Sequence, residues 1–156
     1  MGYYISASGI RRGSYANMAV HTQSFTFCTE ADTDVVDVTP NVAEILDNCS
    51  VKHGIAIVFV PGSTGALTTI EHEPGLVQDL KDYFEQAVPR DHDYHHEQRW
   101  HDGNGHSHVR ASLIGPSVTI PFRDKRLILG TWQQIVFVEF DVRPRERELF
   151  VQIIGE

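Results

Sequence analysis

The last forty residues, Ser117–Glu156, read SVTIPFRDKRLILGTWQQIVFVEFDVRPRERELFVQIIGE. Val118, Ile120 and Phe122 share one side of an alternating run, the period of a half-buried strand. Arg126 to Leu129 resumes after the polar turn Arg123–Lys125, so the two runs predict a β-hairpin. Gly130-Thr131-Trp132-Gln133 interrupts the sheet, and Gln134 to Asp141 resumes it as an apolar run holding one acid, Glu139. Leu149, Val151 and Ile153 supply a final strand. A run of strands this long at the end of a chain is the mark of a sheet that is mostly antiparallel.

Working back from there, the helices fall earlier. Val20 to Cys28 alternates as an opening strand. Thr39-Pro40 offers an N-cap followed by proline at the first helical position, and Val42, Ile45, Leu46 and Cys49 follow at helical spacing. Ile55 to Val60 is an unbroken apolar run, expected as a central strand covered on both faces. Leu76, Val77, Leu80, Tyr83, Phe84, Ala87 and Val88 form one helical stripe that Pro89 stops. The expectation is an α+β domain with a mixed, mostly antiparallel sheet and two to three helices, a single domain over 18–156. Residues 1–17 show no sustained period and read as a leader or loosely held extension, with an edge strand at Tyr3, Tyr4 and Ile5 as the alternative.

A net charge of −8 argues against a general nucleic-acid binder. It leaves room for a local basic pocket that takes a small phosphorylated metabolite. No apolar run suits a membrane span. Cys28 and Cys49 form neither a CxxC pair nor a disulfide framework, which suits the cytoplasm.

Chemistry concentrates in the segment from Asp91 to Gly115, which holds six of the nine histidines with Asp93, Glu97 and Asp102 between them. Imidazoles bind metals and move protons near neutral pH. If the segment from Asn104 to Leu113 is helical, Asn104, His108 and Ser112 share one face and His106 points elsewhere. If it is extended, His106 and His108 share a face. Val109 to Ile114 reads as the more helical, which favours His108 as the inward residue. A divalent metal, zinc or magnesium, then finds ligands in His96, His108 and Glu71, with an open position. The stretch Pro61–Gly75 after the central strand, rich in Gly, Ser and Thr with Leu67-Thr68-Thr69-Ile70 inside it, offers donors such as Ser63 and Thr64 to an anion, or is an ordinary turn. Trp132 suits a pocket wall or a core. Arg143, Arg145 and Arg147 alternate, suiting phosphate binding or, as the favoured expectation, a solvated strand edge.

The runs DGNGHSHVRASLIGPSVTIP, RLILGTWQQIVFVEFD and RPRERELFVQIIG, preceded by Tyr94-His95-His96, resemble the YjbQ-like family, often labelled secondary thiamine-phosphate synthase. The likeness spans Ala19 to Glu156. It implies an α+β fold assembled as a homotrimer, with a pocket at subunit boundaries. The family's tyrosine-x-histidine maps to Tyr94 and His96, its later histidine to His108, its acid to Glu71, and its GTWQ to Gly130–Gln133. The catalytic candidates are Glu71, His96 and His108. Ser63, Thr64, Asn104, Ser117, Trp132 and Gln133 are the substrate-binding candidates. One departure stands out: where the family often carries His-Thr-Thr after the central strand, this chain has Gly62-Ser63-Thr64, so no metal or proton role at that histidine carries over. The expected function is a metal- or anion-binding transferase of phosphorylated metabolites resembling thiamine-phosphate synthase. A trimer that binds metal or ligand without turnover is the alternative, and a zinc hydrolase would share the ligand set.

Overall fold

A computed structural model of the protein describes residues 18–156. The leader and the Tyr3-Tyr4-Ile5 strand lie outside the described residues. In chain order the elements are β1 (Ala19–Thr29), β2 (Asp34–Asp37), α1 (Thr39–Asn48), β3 (His53–Phe59), β4 (Gly65–Ile70), α2 (Pro74–Ala87), α3 (Glu97–Trp100), α4 (Gly105–Ile114), β5 (Ser117–Arg123), β6 (Arg126–Leu127), β7 (Gln134–Glu139) and β8 (Arg145–Gly155). They build two sheets, ordered β1-β8-β3-β5-β6 and β2-β7-β4. Every neighbouring pair is antiparallel, so the α+β expectation holds. No described helix is long and apolar enough to cross a membrane.

The two sheets face one another. Ala56, Val58, Ile120, Leu149, Val151 and Ile153 of the larger sheet meet Leu67, Ile135 and Phe137 of the smaller one, with Val42, Ile45 and Leu46 of α1 in the same core. The smaller sheet's other face, through Ala66, Val136 and Val138, packs on Phe84 of α2 and Ala111 of α4. Strand β7 is therefore buried on both faces, which is why Ile135-Val136-Phe137-Val138 is continuous rather than alternating.

Four expectations are corrected. The run Gln134–Asp141 does not resume the hairpin's sheet but centres the second one, with β2 and β4 on its flanks. Leu67-Thr68-Thr69-Ile70, taken as part of a turn, belongs to β4, and the short β2 went unseen because Asp34 and Asp37 bracket its two valines. Thr39 is not the cap of α1; its hydroxyl accepts from the Ile135 amide at 2.8 Å and ties the helix start to β7. Strand β3 is central in its sheet, yet Ile55 and Phe59 are exposed, so one of its faces is left uncovered by the described residues.

Gly65 marks the tightest approach inside the smaller sheet. A methyl there would press on the Phe137 ring, 2.6 Å from Cε2, and Phe137 is fully buried. Gly65→Ala is expected to lower stability by about 1–3 kcal/mol through overpacking. Urea unfolding checks this, and an unchanged midpoint would contradict the packing described.

Candidate functional site

The site is built where β4 and β7 meet, at the Gly65↔Glu139 end of their pairing. The turn Val60–Thr64 connects β3 to β4 and is held by Val60 N–H on Pro116 O at 2.9 Å and Phe140 N–H on Thr64 O at 2.9 Å. Helix α4 lies across this turn. Its residue His108 brings Nδ1 within 3.1 Å of the Ser63 carbonyl. A carbonyl only accepts, so Nδ1 carries the proton and Nε2 keeps its lone pair for a proton or a metal.

His96, just before α3, has its ring centroid 4.6 Å from that of His108, the two planes tilted by 39°. Its Nδ1 is buried without a hydrogen-bond partner. It lies 3.6 Å from Glu97 Oε1 and 3.5 Å from Asp102 Oδ1. Glu97 straps the loop that carries Asp102, accepting from the amides of Gly103 and Gly105 at 2.7 Å each. Those two bonds hold its carboxyl below the usual range.

Behind the turn stands a buried charge network. Arg147 of β8 donates from Nε and Nη2 to the two oxygens of Glu139, at 2.6 and 2.5 Å, and from Nη2 to Thr64 Oγ1 at 2.8 Å. Arg145 donates from Nε to Asp141 Oδ2 at 2.8 Å, and Thr64 Oγ1 to the same oxygen at 3.2 Å. Burial pushes the Asp141 carboxyl up, but the Arg145 and Thr64 bonds outweigh it and hold the group below its ordinary value. The solvated-edge expectation for Arg145 and Arg147 is thereby overturned, because β8 is paired on both sides and its arginines answer buried carboxylates. Arg143 alone of the three is exposed.

These groups enclose an open groove of about 440 Å³, lined among others by Ser63, Thr64, Asn104, His108, Asp141 and Arg147. Of the sequence candidates, Ser63, Thr64, Asn104 and His108 line it, and His96 backs it. Asn104 is buried and fixes the loop rather than capping α4: its Oδ1 accepts from Ser107 Oγ at 3.0 Å and the Val142 amide at 3.3 Å.

Glu71, Trp132 and Gln133 are elsewhere. Gln133 donates to Thr69 Oγ1 at 2.9 Å, Trp132 is 70% exposed, and Glu71 is exposed just past β4. All three sit at the Ile70↔Gln134 end of the pair, roughly 17 Å of strand from the groove. Within one chain, then, neither Glu71 as a metal ligand or catalytic acid nor Trp132 as a wall meets His108. Ser117 is exposed at the head of β5 and is not among the groove's lining.

The inward residue of α4 is also corrected. His106, not His108, is buried, at 1% exposure, along with Ser107, Arg110 and Ala111. Arg110 explains it: its guanidinium binds Val88 O, Thr33 Oγ1 and Glu85 Oε2, tying α4 to α2. Burial first, then the Arg110 charge, pushes the His106 imidazole below its usual pKa. Tyr94 packs by His106 and donates to Pro89 O at 2.6 Å, so its place is under the loop.

Among the described residues, His96, Glu97 and Asp102 offer ligand atoms within 4.8 Å of one another. Ligands of a tetrahedral zinc with bonds of about 2.0–2.1 Å stand roughly 3.3–3.4 Å apart, near the 3.5 and 3.6 Å found. These two spacings are compatible with a shared cation, with Asp102 in the position expected of Glu71, while Glu97 Oε1 already accepts from the Gly105 amide.

Two packed antiparallel sheets, helices over the smaller one, and a histidine–carboxylate groove at the strand ends define the class: an α+β protein with a polar groove. The chain belongs to the YjbQ-like family, whose model, described as UPF0047 protein YjbQ-like, matches residues 23–156. A UPF0047 protein of Methanocaldococcus jannaschii is 37% identical over 79% of this chain and 86% of its own. The solved structure of a YbjQ-like protein of unknown function from Sulfolobus solfataricus P2 superposes with a TM-score of 0.85 at 33% identity, covering 90% of this chain and 100% of that one. A hypothetical protein of Aeropyrum pernix K1 gives 0.81 at 38% identity, over 87% and 99%.

Proposed function

We propose that the groove binds a small phosphorylated metabolite together with a divalent cation and acts on it as an enzyme. The observation that carries this is the imidazole pair: His108 with a free Nε2 and His96 with an unpartnered Nδ1 facing two carboxylates. Charge supports the cation's part. Asp102, Asp141 and Glu146 outnumber Arg145 and Arg147 along the groove, so a phosphate dianion is repelled until a cation reverses the sign. Imidazole ligands favour zinc over magnesium.

The nearest named reaction is thiamine-phosphate synthesis. There the thiazole nitrogen attacks the pyrimidine's methylene carbon, the carbon–oxygen bond to pyrophosphate breaks, and no general base is needed. A bound cation would neutralise the departing pyrophosphate. The chain's own share is to orient the phosphates by Ser63 and Arg147, with Thr64 holding the guanidinium, and to hold His108 on the Ser63 carbonyl. Three copies assembled as a homotrimer would cover the apolar face of the larger sheet, where Val20, Ile55, Phe59 and Phe150 are exposed. Two unpaired cysteines suit the cytoplasm, and the acidic charge disfavours nucleic acid.

Pyrophosphate release from the pyrimidine and thiazole phosphates, with zinc or magnesium, tests the reading. Turnover is expected, reduced about 10–100-fold by His108→Ala, which removes an imidazole beside the cation, and unaltered by Glu71→Gln. No turnover with either metal would overturn the enzyme and leave the binding trimer, which the prior pairing of both arginines with carboxylates favours.

A further inference from the structure

Arg147 is held at one edge and open at the other. Its Nε and Nη2 are committed to Glu139 and Thr64, while among the described residues no acceptor is within hydrogen-bond reach of Nη1. That edge looks toward Gly62. A Cβ built on Gly62 would have Arg147 Nη1 as its nearest neighbour at 3.5 Å, with Val60 Cγ2 next at 3.9 Å. Both are ordinary contact distances, and Gly62 is not among the residues with positive φ. Glycine is thus not demanded by the backbone. What its missing side chain does is leave a gap between the guanidinium and the groove that both residues line.

We propose that Gly62 is a specificity-determining position: by carrying no side chain it opens the Nη1 edge of Arg147 to an anionic oxygen of the ligand. This rests on the groove being a phosphate site. Glu139 and Thr64 lock the rest of the guanidinium, so Nη1 presents its two N–H groups in a fixed direction, the arrangement that suits a phosphoryl oxygen. Because Glu139 already offsets the charge of Arg147, the contact works by direction more than by net charge. A larger residue at 62, such as the histidine the family resemblance leads one to expect, would stand in that gap and replace a cationic donor with its own chemistry.

Titration calorimetry of inorganic pyrophosphate into the full chain, with and without saturating zinc, decides the matter. Gly62→Leu is expected to weaken pyrophosphate binding about tenfold or more, near 1.4 kcal/mol, while zinc affinity stays within about twofold. If the leucine variant binds pyrophosphate as the wild type does, the Nη1 contact is overturned. Should that variant melt early, Gly62→Ala decides instead: about threefold weaker binding supports the contact, and wild-type affinity rejects it. If the wild type takes up no pyrophosphate with zinc or without it, the phosphate reading of the groove falls, and the role of Gly62 with it.

Discussion

Arg147→Ala is expected to cost about 3–5 kcal/mol of unfolding free energy, because it strands a buried carboxylate. Glu139 is fully buried and takes both Arg147 bonds on its two oxygens. Thr29 Oγ1 and the Asp141 amide complete its shell at 2.9 Å each, and neither carries a charge. At about 2–4 °C per kcal/mol for a chain of this size, the melting temperature falls by roughly 10 °C. The double variant Arg147→Met with Glu139→Gln removes both charges and is expected to recover part of the loss. A single variant within about 1 kcal/mol of wild type would show that the pair is not what holds β8 to β7 here.

The neighbouring pair gives the network an acid limit. Asp141 is raised by burial but lowered further by Arg145 and Thr64, so its folded pKa lies below its unfolded one. Its contribution is complete above the unfolded carboxylate value of about 4 and is lost as pH falls through the lower folded value. The unfolding midpoint should therefore stay level near neutrality and drop below about pH 4.

The second large effect concerns the imidazole pair. His96→Ala is expected to weaken zinc binding by about 100-fold or more, since even outer partners of a metal ligand are worth about 10–100-fold. Competition with a chromophoric chelator measures it. Glu71→Gln should leave zinc affinity unchanged, given its place beyond the far end of β4. Equal zinc affinity in His96→Ala and wild type would remove the metal from the groove.

The periodic elements were legible because their faces are chemically distinct. The stripe of α1 and the alternation of β1 and β5 each oppose an apolar core to polar surroundings, and all three elements are found. The second sheet was not legible. Its centre, β7, is apolar on both faces, and a run without period does not say which sheet it joins. Helix α4 inverted the usual signal: it buries His106, Ser107 and Arg110 and exposes Val109 and Leu113. Polarity points to the wrong face there, because Arg110 buries its charge only by meeting Glu85, Val88 and Thr33, partners distant in the chain.

The site was half legible for a related reason. His96 and His108 stand together as their loop and helix bring them, and histidine density drew attention to both. Glu97 and Asp102 lie in the same segment, but Glu71, the first acid after the turn that follows the central strand, is the one its position and the resemblance both point to. Only the strap from Glu97 to Gly103 and Gly105 places Asp102 beside His96. In sequence, the alternating Arg145 and Arg147 resemble a solvated strand edge. Their carboxylate partners lie on β7, and strand pairing across the two sheets is not written in local spacing.

Anomalous diffraction at the zinc edge from zinc-soaked crystals tests most directly whether His96 and Asp102 hold a cation at the mouth of the groove. A single peak is predicted about 2.0–2.2 Å from His96 Nδ1 and Asp102 Oδ1. No peak there, or zinc bound at Glu71 instead, would contradict it.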